Sequence, residues 1–392
     1  MSNLENTKKN IPEHYSKTDP YSVFLKEKFL LSHPNSSKKT YHISLDIQGS
    51  DLIFHPGDSI GILPQNDPHL VRKFLSLLST KPHDLLIDPR SQKEMTSEDY
   101  LVHKVNFTRI NTSLIRFFFQ KSQKPLQIEK LRILLEPENK AALAEFIQGK
   151  DLIDILLLLQ ESPSSLQEIA EHFTPLLPRF YSISSSVKAH PTELHLLVAL
   201  LSYPHGEEIR YGVASHFLCH LATEKQTAIP IYIQPAAHFK LPEDSSQNLI
   251  MIGPGTGVAP YRAFLQERLC DKATGKHWLF FGERTRKYDF LYEDYLVELE
   301  NQNQLKLTTA FSRDQDSKEY VQHKILENAE ELWNWISNGS YLYVCGDASK
   351  MAKDVEATLL TIIEQYGKLS EVEARAYLKH LRTSRQYMTD VY

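Results

Sequence analysis

Cysteine is scarce: Cys219, Cys270 and Cys345 are the only three in 392 residues. They are odd in number and far apart, without metal spacing, which excludes a disulfide framework, suits a reducing cytoplasm and leads us to expect no metal. No apolar run reaches the length of a membrane-spanning helix. The opening MSNLENTKKN has no apolar core of the kind a secretory signal needs, so a cytoplasmic protein is expected. There is no basic surplus either. With 44 basic against 49 acidic residues the net charge is −5, which argues against a nucleic-acid partner. Internal repeats and low-complexity segments are absent. What is present is ordinary for a globular chain, 41% apolar and 24% charged, and long enough for two domains with a large core.

Residues 1–16 form a polar arm. Strand patterns follow at 22–31 and 40–47, with a turn at Pro56-Gly57-Asp58 and a returning strand at Ser59–Leu63. Short strands with tight turns suggest a small β-barrel. From about 66 to 175 leucines and isoleucines recur at helical spacing between proline-bearing joints, a helical insertion with the character of core and no assigned chemistry. The β pattern resumes at RFYSISSS (179–186), ELHLLVALL (193–201) and AIPIYIQPA (228–236). Between the last two, Gly212-Val213-Ala214-Ser215 opens an amphipathic helix, a second possible phosphate-binding helix end. From 248 strand and helix alternate four times. The strands are 249–252, 278–281, 305–311 and 341–345; the helices are 258–270, 289–301, 321–336 and 349–366. That alternation predicts a parallel sheet covered on both faces, with ligands at the carboxyl ends of its strands. A helix at 371–382 leads into SRQYMTDVY, a candidate edge strand.

The chain is organised around NLIMIGPGTGVAPYRAFLQER, residues 248–268. Leu249–Ile252 read as a buried strand, Gly253, Gly255 and Gly257 as a turn, and Pro260 as a first-turn helix proline. Bare backbone and a positive helix end suit a phosphate. The spacing is G-x-G-x-G-x-A-P and Val258 stands where a dinucleotide fingerprint has its third glycine, so a tight strand–helix turn without ligand fits the spacing as well.

Together PGDSIGILPQND, RFYSISSS, GVASHFL, FKLP, IGPGTGVAPYRAFLQER, LFFGER, SRDQ…KEYVQ, YVCGDASKMAKDV and the terminal TDVY resemble the ferredoxin–NADP⁺ reductase superfamily over about residues 15–392. Within it they are most like the FAD/NADPH half of the diflavin reductases, the sulfite reductase flavoprotein type among them. The resemblance implies a β-barrel FAD-binding domain at 17–240 carrying the helical insert, and an α/β doubly wound parallel-sheet NADP-binding domain at 241–392.

It also implies roles. Arg179 would pair with the FAD pyrophosphate, where a guanidinium fork suits phosphate oxygens. Tyr181 would lie along the isoalloxazine ring and Ser182 would hydrogen-bond its N5. Gly212, Val213, Ala214 and Ser215 would serve the FAD diphosphate, and Tyr203 would stack near the adenosine. Gly255, Thr256 and Gly257 would cradle the NADP pyrophosphate; Ser312, Arg313, Lys318 and Tyr320 would take the 2′-phosphate. Cys345 would sit beside the nicotinamide, with Asp347 shaping the site and Asp390 working with Ser182 and Cys345. Tyr392 would stack on the flavin and step aside for nicotinamide.

The implied activity is hydride transfer from NADPH to FAD in a site formed by both domains, followed by one-electron release. About 20 residues precede the barrel pattern, too few for the FMN-binding domain of a diflavin reductase, so FMN is expected to be absent. Electrons would then leave for a separate carrier: a flavodoxin, a ferredoxin or a sulfite reductase haemoprotein. Two other readings stand beside this one, a non-catalytic NADPH-binding assembly subunit and a reductase of free flavin or quinone.

Overall fold

A computed structural model describes residues 15–122, 124–159 and 165–392, which fold as two compact units. The first takes the chain up to Ile62, then Phe180–Leu200 and Ala222–Tyr392; the second takes Leu63–Arg179 and Leu201–Leu221. All but the last two residues of the polar arm expected at 1–16 lie outside the described residues.

The first unit holds two sheets. One has six strands in the order Arg179–Ser182, Ser59–Ile62, Ala228–Gln234, Tyr21–Leu30, Thr40–Asp46, Glu193–Ala199. An antiparallel bridge between Ile183 and Leu196 joins its two ends, closing the expected barrel. Ile43, Leu45, Leu194, Leu196 and Val198 are fully buried, as the alternating pattern requires. The strand expected to run on to 186 stops at Ser182. The serines beyond it are occupied elsewhere: Ser185 Oγ accepts from the His195 amide at 2.9 Å, and the Ser186 amide donates to Gln266 Oε1 at 3.0 Å.

The second sheet is parallel and five-stranded, ordered Lys306–Phe311, His277–Glu283, Leu249–Ile252, Tyr341–Gly346, Tyr387–Val391. Its central strand shows why the sequence reads as an unbroken apolar run. Leu249 and Met251 pack into the core under the helix Ala259–Cys270, while Ile250 and Ile252 pack into the opposite layer with Val355 and Leu359. The tail forms the edge strand, with Asp390 in register with Cys345. Two helices differ from expectation. The run 321–336 breaks at Asn328 into Val321–Glu327 and Ala329–Ser337. The run 289–301 divides into Arg286–Asp289 and Glu293–Asn301, with Tyr292 left-handed between them (φ 58°).

The second unit packs helices from Pro68–Leu77 through Leu166–Ala170 around one core that includes Phe74, Tyr100, Phe107 and Phe118. Two features escaped the sequence reading: a ribbon Leu85–Ile87/Glu94–Thr96 and a hairpin Ser202–His205/Glu208–Tyr211. The hairpin runs straight into Gly212 and a helix Val213–His216 that continues as a π turn, Phe217–Leu221. Among the described residues no helix is long and apolar enough to cross a membrane.

Inside the first unit, barrel strands meet the helix Ala259–Cys270 through a buried histidine cluster. Arg262 Nη1 donates to the Ser184 carbonyl at 2.7 Å and to His195 Nδ1 at 3.1 Å. Arginine only donates, so His195 is protonated on Nε2, which donates to Glu193 Oε2 at 2.8 Å. His42 Nδ1 meets the Tyr292 hydroxyl at 3.0 Å, and His190 Nε2 meets Gln266 Nε2 at 3.0 Å. Burial, reinforced by His195 and Arg262, pushes His42 down to about 3. Burial first, with Arg262 adding to it and Glu193 opposing, pushes His195 down to about 4.

Both imidazoles are therefore neutral when folded and bind protons first in the unfolded chain. Their stabilisation is complete above the unfolded value near 6.5 and is lost as pH falls below it. Unfolding free energies from denaturant titrations at pH 7 to 5 are expected to decline, by about 2 kcal/mol from each histidine at pH 5. His42→Asn with His195→Gln is expected to flatten that slope; an unchanged slope would rule the cluster out as its source.

Candidate active site

The first unit brings Ser182, Cys345, Asp390, Thr256 and Tyr392 together. Ser182 Oγ donates to Asp390 Oδ2 at 3.0 Å, and the Cys345 thiol reaches the same oxygen at 3.9 Å. Parallel pairing of the tail with Tyr341–Gly346 sets Asp390 beside Cys345, and the barrel strand delivers Ser182. Burial, then the neighbouring carboxylate, raises the Cys345 thiol far above its usual range, so it stands protonated as a donor. Burial also raises Asp390, against the hydrogen bonds from Ser182 and Cys345 that favour its charged form.

Tyr392 is held at both ends of the residue. Its amide donates to the Gly346 carbonyl at 3.1 Å, its own carbonyl accepts from the Ala348 amide at 3.1 Å, and its hydroxyl shares a hydrogen bond with Thr256 Oγ1 at 2.9 Å. The residue is nonetheless 58% exposed. Thr256 belongs to the glycine turn, which coils as a 3₁₀ segment, Gly255–Val258, before the helix. Gly255 is left-handed (φ 59°), a conformation that favours glycine. Gly257 is required for another reason: a Cβ there would lie 2.2 Å from the Cys345 carbonyl oxygen.

Beside this turn opens a cavity of about 410 Å³. Gly255, Ser312, Arg313, Lys318, Tyr320 and Asp347, all singled out from sequence, line it; Thr256 and Gly257 lie outside its lining. Sequence reasoning missed Lys38, Arg284, Gln322 and Lys350. Arg284 and Lys350 stand in the polar segments after the second and fourth parallel strands, a signal that was available. Lys38 comes from a barrel loop with no local cue. Most of the lining carboxylates are spoken for. Asp347 accepts from the Lys350 and Met351 amides at 2.8 and 3.1 Å, and those backbone donors together with Ser349 pull it down to about 2. Glu319 pairs with Lys324 at 3.1 Å, and Asp354 accepts from Gln322 at 3.3 Å. Among the described residues neither the Arg313 nor the Lys318 side chain forms an ion pair. Two uncompensated cations beside a left-handed glycine fit a dianionic phosphate.

Tyr181 is half-buried and Arg179 exposed on the strand that carries Ser182. In the second unit Gly212 opens the helix with no side-chain cap. Ser215 Oγ accepts from the Leu201 amide at 3.1 Å and donates to the Gly212 carbonyl at 3.0 Å, so its hydroxyl is committed to the turn. Tyr203 sits opposite Arg210 in the hairpin.

Two clusters with metal-ligand chemistry also occur, His190/Glu193/His195 and Asp151/Asp154/His205. Each is satisfied internally, the first by Arg262 and Lys26, the second by Arg210 and a His205–Asp154 pair at 2.8 Å. His216 and His220 hold an H-x-x-x-H spacing, but His216 stacks on Tyr211 at 4.5 Å between centroids.

A barrel, a parallel sheet with a glycine turn, and a part-buried Ser–Asp–Cys constellation are the features of the flavin- and pyridine-nucleotide-binding class of fold. The chain belongs to the FAD binding domain family, which it matches over residues 13–217, and it carries an oxidoreductase NAD-binding domain at 251–357. It is similar to the sulfite reductase [NADPH] flavoprotein alpha-component of Photobacterium profundum, 40% identical over 96% of this chain and 61% of that protein. The same component from Bacillus subtilis is 38% identical over 96% of this chain and 62% of its own length, and that of Vibrio cholerae 38% over 97% and 60%. The chain thus spans about three fifths of the length of these relatives. The resemblance drawn from the motifs is borne out, as is the two-part fold.

Proposed function

We propose that this chain oxidises NADPH and passes its electrons through FAD to a separate one-electron acceptor. The carrying observation is the sharing of Asp390 Oδ2 by Ser182 and Cys345. FAD, when bound, supplies the hydride acceptor and the one-electron exit. The chain's own groups do the positioning. Tyr181 offers a face to the flavin ring, and Ser182, oriented by Asp390, offers its hydroxyl at the ring edge. Cys345 stands protonated against the place for nicotinamide. Tyr392 covers the site until its bond to Thr256 is broken. Arg313, Lys318, Ser312 and Tyr320 take the 2′-phosphate, and the Gly255–Gly257 turn the pyrophosphate. In the second unit, the first-turn amides of Val213, Ala214 and Ser215 after Gly212, with Tyr203, suit a phosphate and an adenosine; Arg179 suits a phosphate. The similarity to sulfite reductase flavoproteins favours a sulfite reductase haemoprotein as acceptor, with a flavodoxin or ferredoxin as the other candidates.

Purified protein is expected to be yellow, to release FAD on denaturation, and to bleach anaerobically with NADPH far faster than with NADH. Protein that stays colourless after adding FAD, or bleaches equally with both, would contradict the proposal. Turnover with each carrier protein then ranks the acceptors.

A further inference from the structure

This inference rests on the reading of the 410 Å³ cavity as the phosphate end of the nucleotide site. We infer that Glu283 is a built-in competitor of the nucleotide's pyrophosphate: it holds Lys38 over the glycine turn and must yield that lysine when the dinucleotide enters.

Lys38 lies in the loop between the barrel strands Tyr21–Leu30 and Thr40–Asp46. The loop is fixed. Ser32 donates to the Lys38 carbonyl at 2.9 Å, the Ser36 hydroxyl donates to buried Asp289 and accepts from the Lys38 amide at 3.0 Å, and Ser37 Oγ accepts from Arg284 Nη1 at 2.7 Å. The Lys38 ammonium is thereby delivered to Glu283 Oε1, while Glu283 Oε2 accepts from the Arg284 amide at 2.9 Å. This pair sits on the turn itself: a methyl group placed on Gly255 would lie 3.2 Å from Lys38 Nζ and 3.3 Å from Glu283 Oε1. Glu283 ends its strand at the carboxyl edge of the sheet, where such sheets bind ligands, and its side chain is only 6% exposed.

A nearly buried carboxylate facing the turn opposes an incoming diphosphate, and a lysine neutralised by that carboxylate is not free to attract it. The other lining carboxylates do not contend for this lysine. Asp347 is bound by helix amides, Glu319 by Lys324, and Asp354 accepts from Gln322. Binding therefore transfers Lys38 from Glu283 to phosphate and leaves Glu283 on the Arg284 amide. The affinity of the empty site is set by how firmly Glu283 retains its partner.

Calorimetric titration of the purified protein with NADP⁺ and with 2′-AMP tests this, since 2′-AMP carries the phosphate for Arg313 and Lys318 and no pyrophosphate. Glu283→Gln is expected to bind NADP⁺ about tenfold more tightly and 2′-AMP within about twofold of the parent. Lys38→Met is expected to weaken NADP⁺ about tenfold or more, and the double variant to return to within about threefold of the parent. Glu283→Asp, which keeps the charge, is expected to behave like the parent. Unchanged or weaker NADP⁺ binding by Glu283→Gln, or an equal shift for 2′-AMP, would overturn the inference while leaving the nucleotide site standing. A parent protein that binds neither ligand would overturn both.

Discussion

Replacing Arg313 and Lys318 together by alanine is expected to lower kcat/KM for NADPH about a thousandfold, since each charge-assisted contact is worth roughly 1.5–3 kcal/mol. NADH lacks the 2′-phosphate, so its turnover is expected to stay within about threefold. The contrast follows from the cavity: among the described residues neither side chain is tied up in an ion pair, so truncation strands no partner there and leaves the fold's stability alone. Initial rates with an artificial one-electron acceptor, run with both coenzymes, give the comparison. Equal losses on both would move the 2′-phosphate elsewhere.

Asp390→Asn is expected to slow anaerobic flavin reduction by about a hundredfold, because positioning errors of the order of an ångström have that cost. NADP⁺ affinity is expected to change little, as Asp390 is not among the residues lining the cavity beside the glycine turn. One oxygen of Asp390 takes hydrogen bonds from both Ser182 and Cys345, and only the ionised carboxylate accepts both without competition. Burial raises this carboxyl above the ordinary carboxylate range. The parent enzyme's rate is therefore expected to fall as pH drops through that raised value, and the asparagine variant to lack this limb. Stopped-flow traces across pH read both effects. A variant with the parent's rate and profile would remove Asp390 from the mechanism.

Much of this architecture was legible because it is written locally. Leu249–Ile252 is apolar at every position since helices cover both its faces, and the tail strand and glycine turn carry their own punctuation. Elements that depend on distant partners were not legible. The hairpin at 202–211 holds Pro204, which speaks against a strand, and its register is set by pairing across a short turn. Nothing near Asn328 announces a break; its side chain donates back to the Lys324 carbonyl at 2.9 Å, ending one helix where the next begins. The site divides in the same way. Ser182, Cys345 and Asp390 were singled out by resemblance; sheet register joins Cys345 to Asp390 and a hydrogen bond from the barrel strand adds Ser182, whereas Lys38 reaches the cavity only because a barrel loop is pinned to the nucleotide half by Asp289 and Arg284.

Gly257 and the carbonyl of Cys345 leave no room between them for even a methyl group. Backbone therefore rides on backbone, and packed interiors yield little under load. The turn therefore cannot shift toward the neighbouring strand without displacing the peptide that carries the thiol.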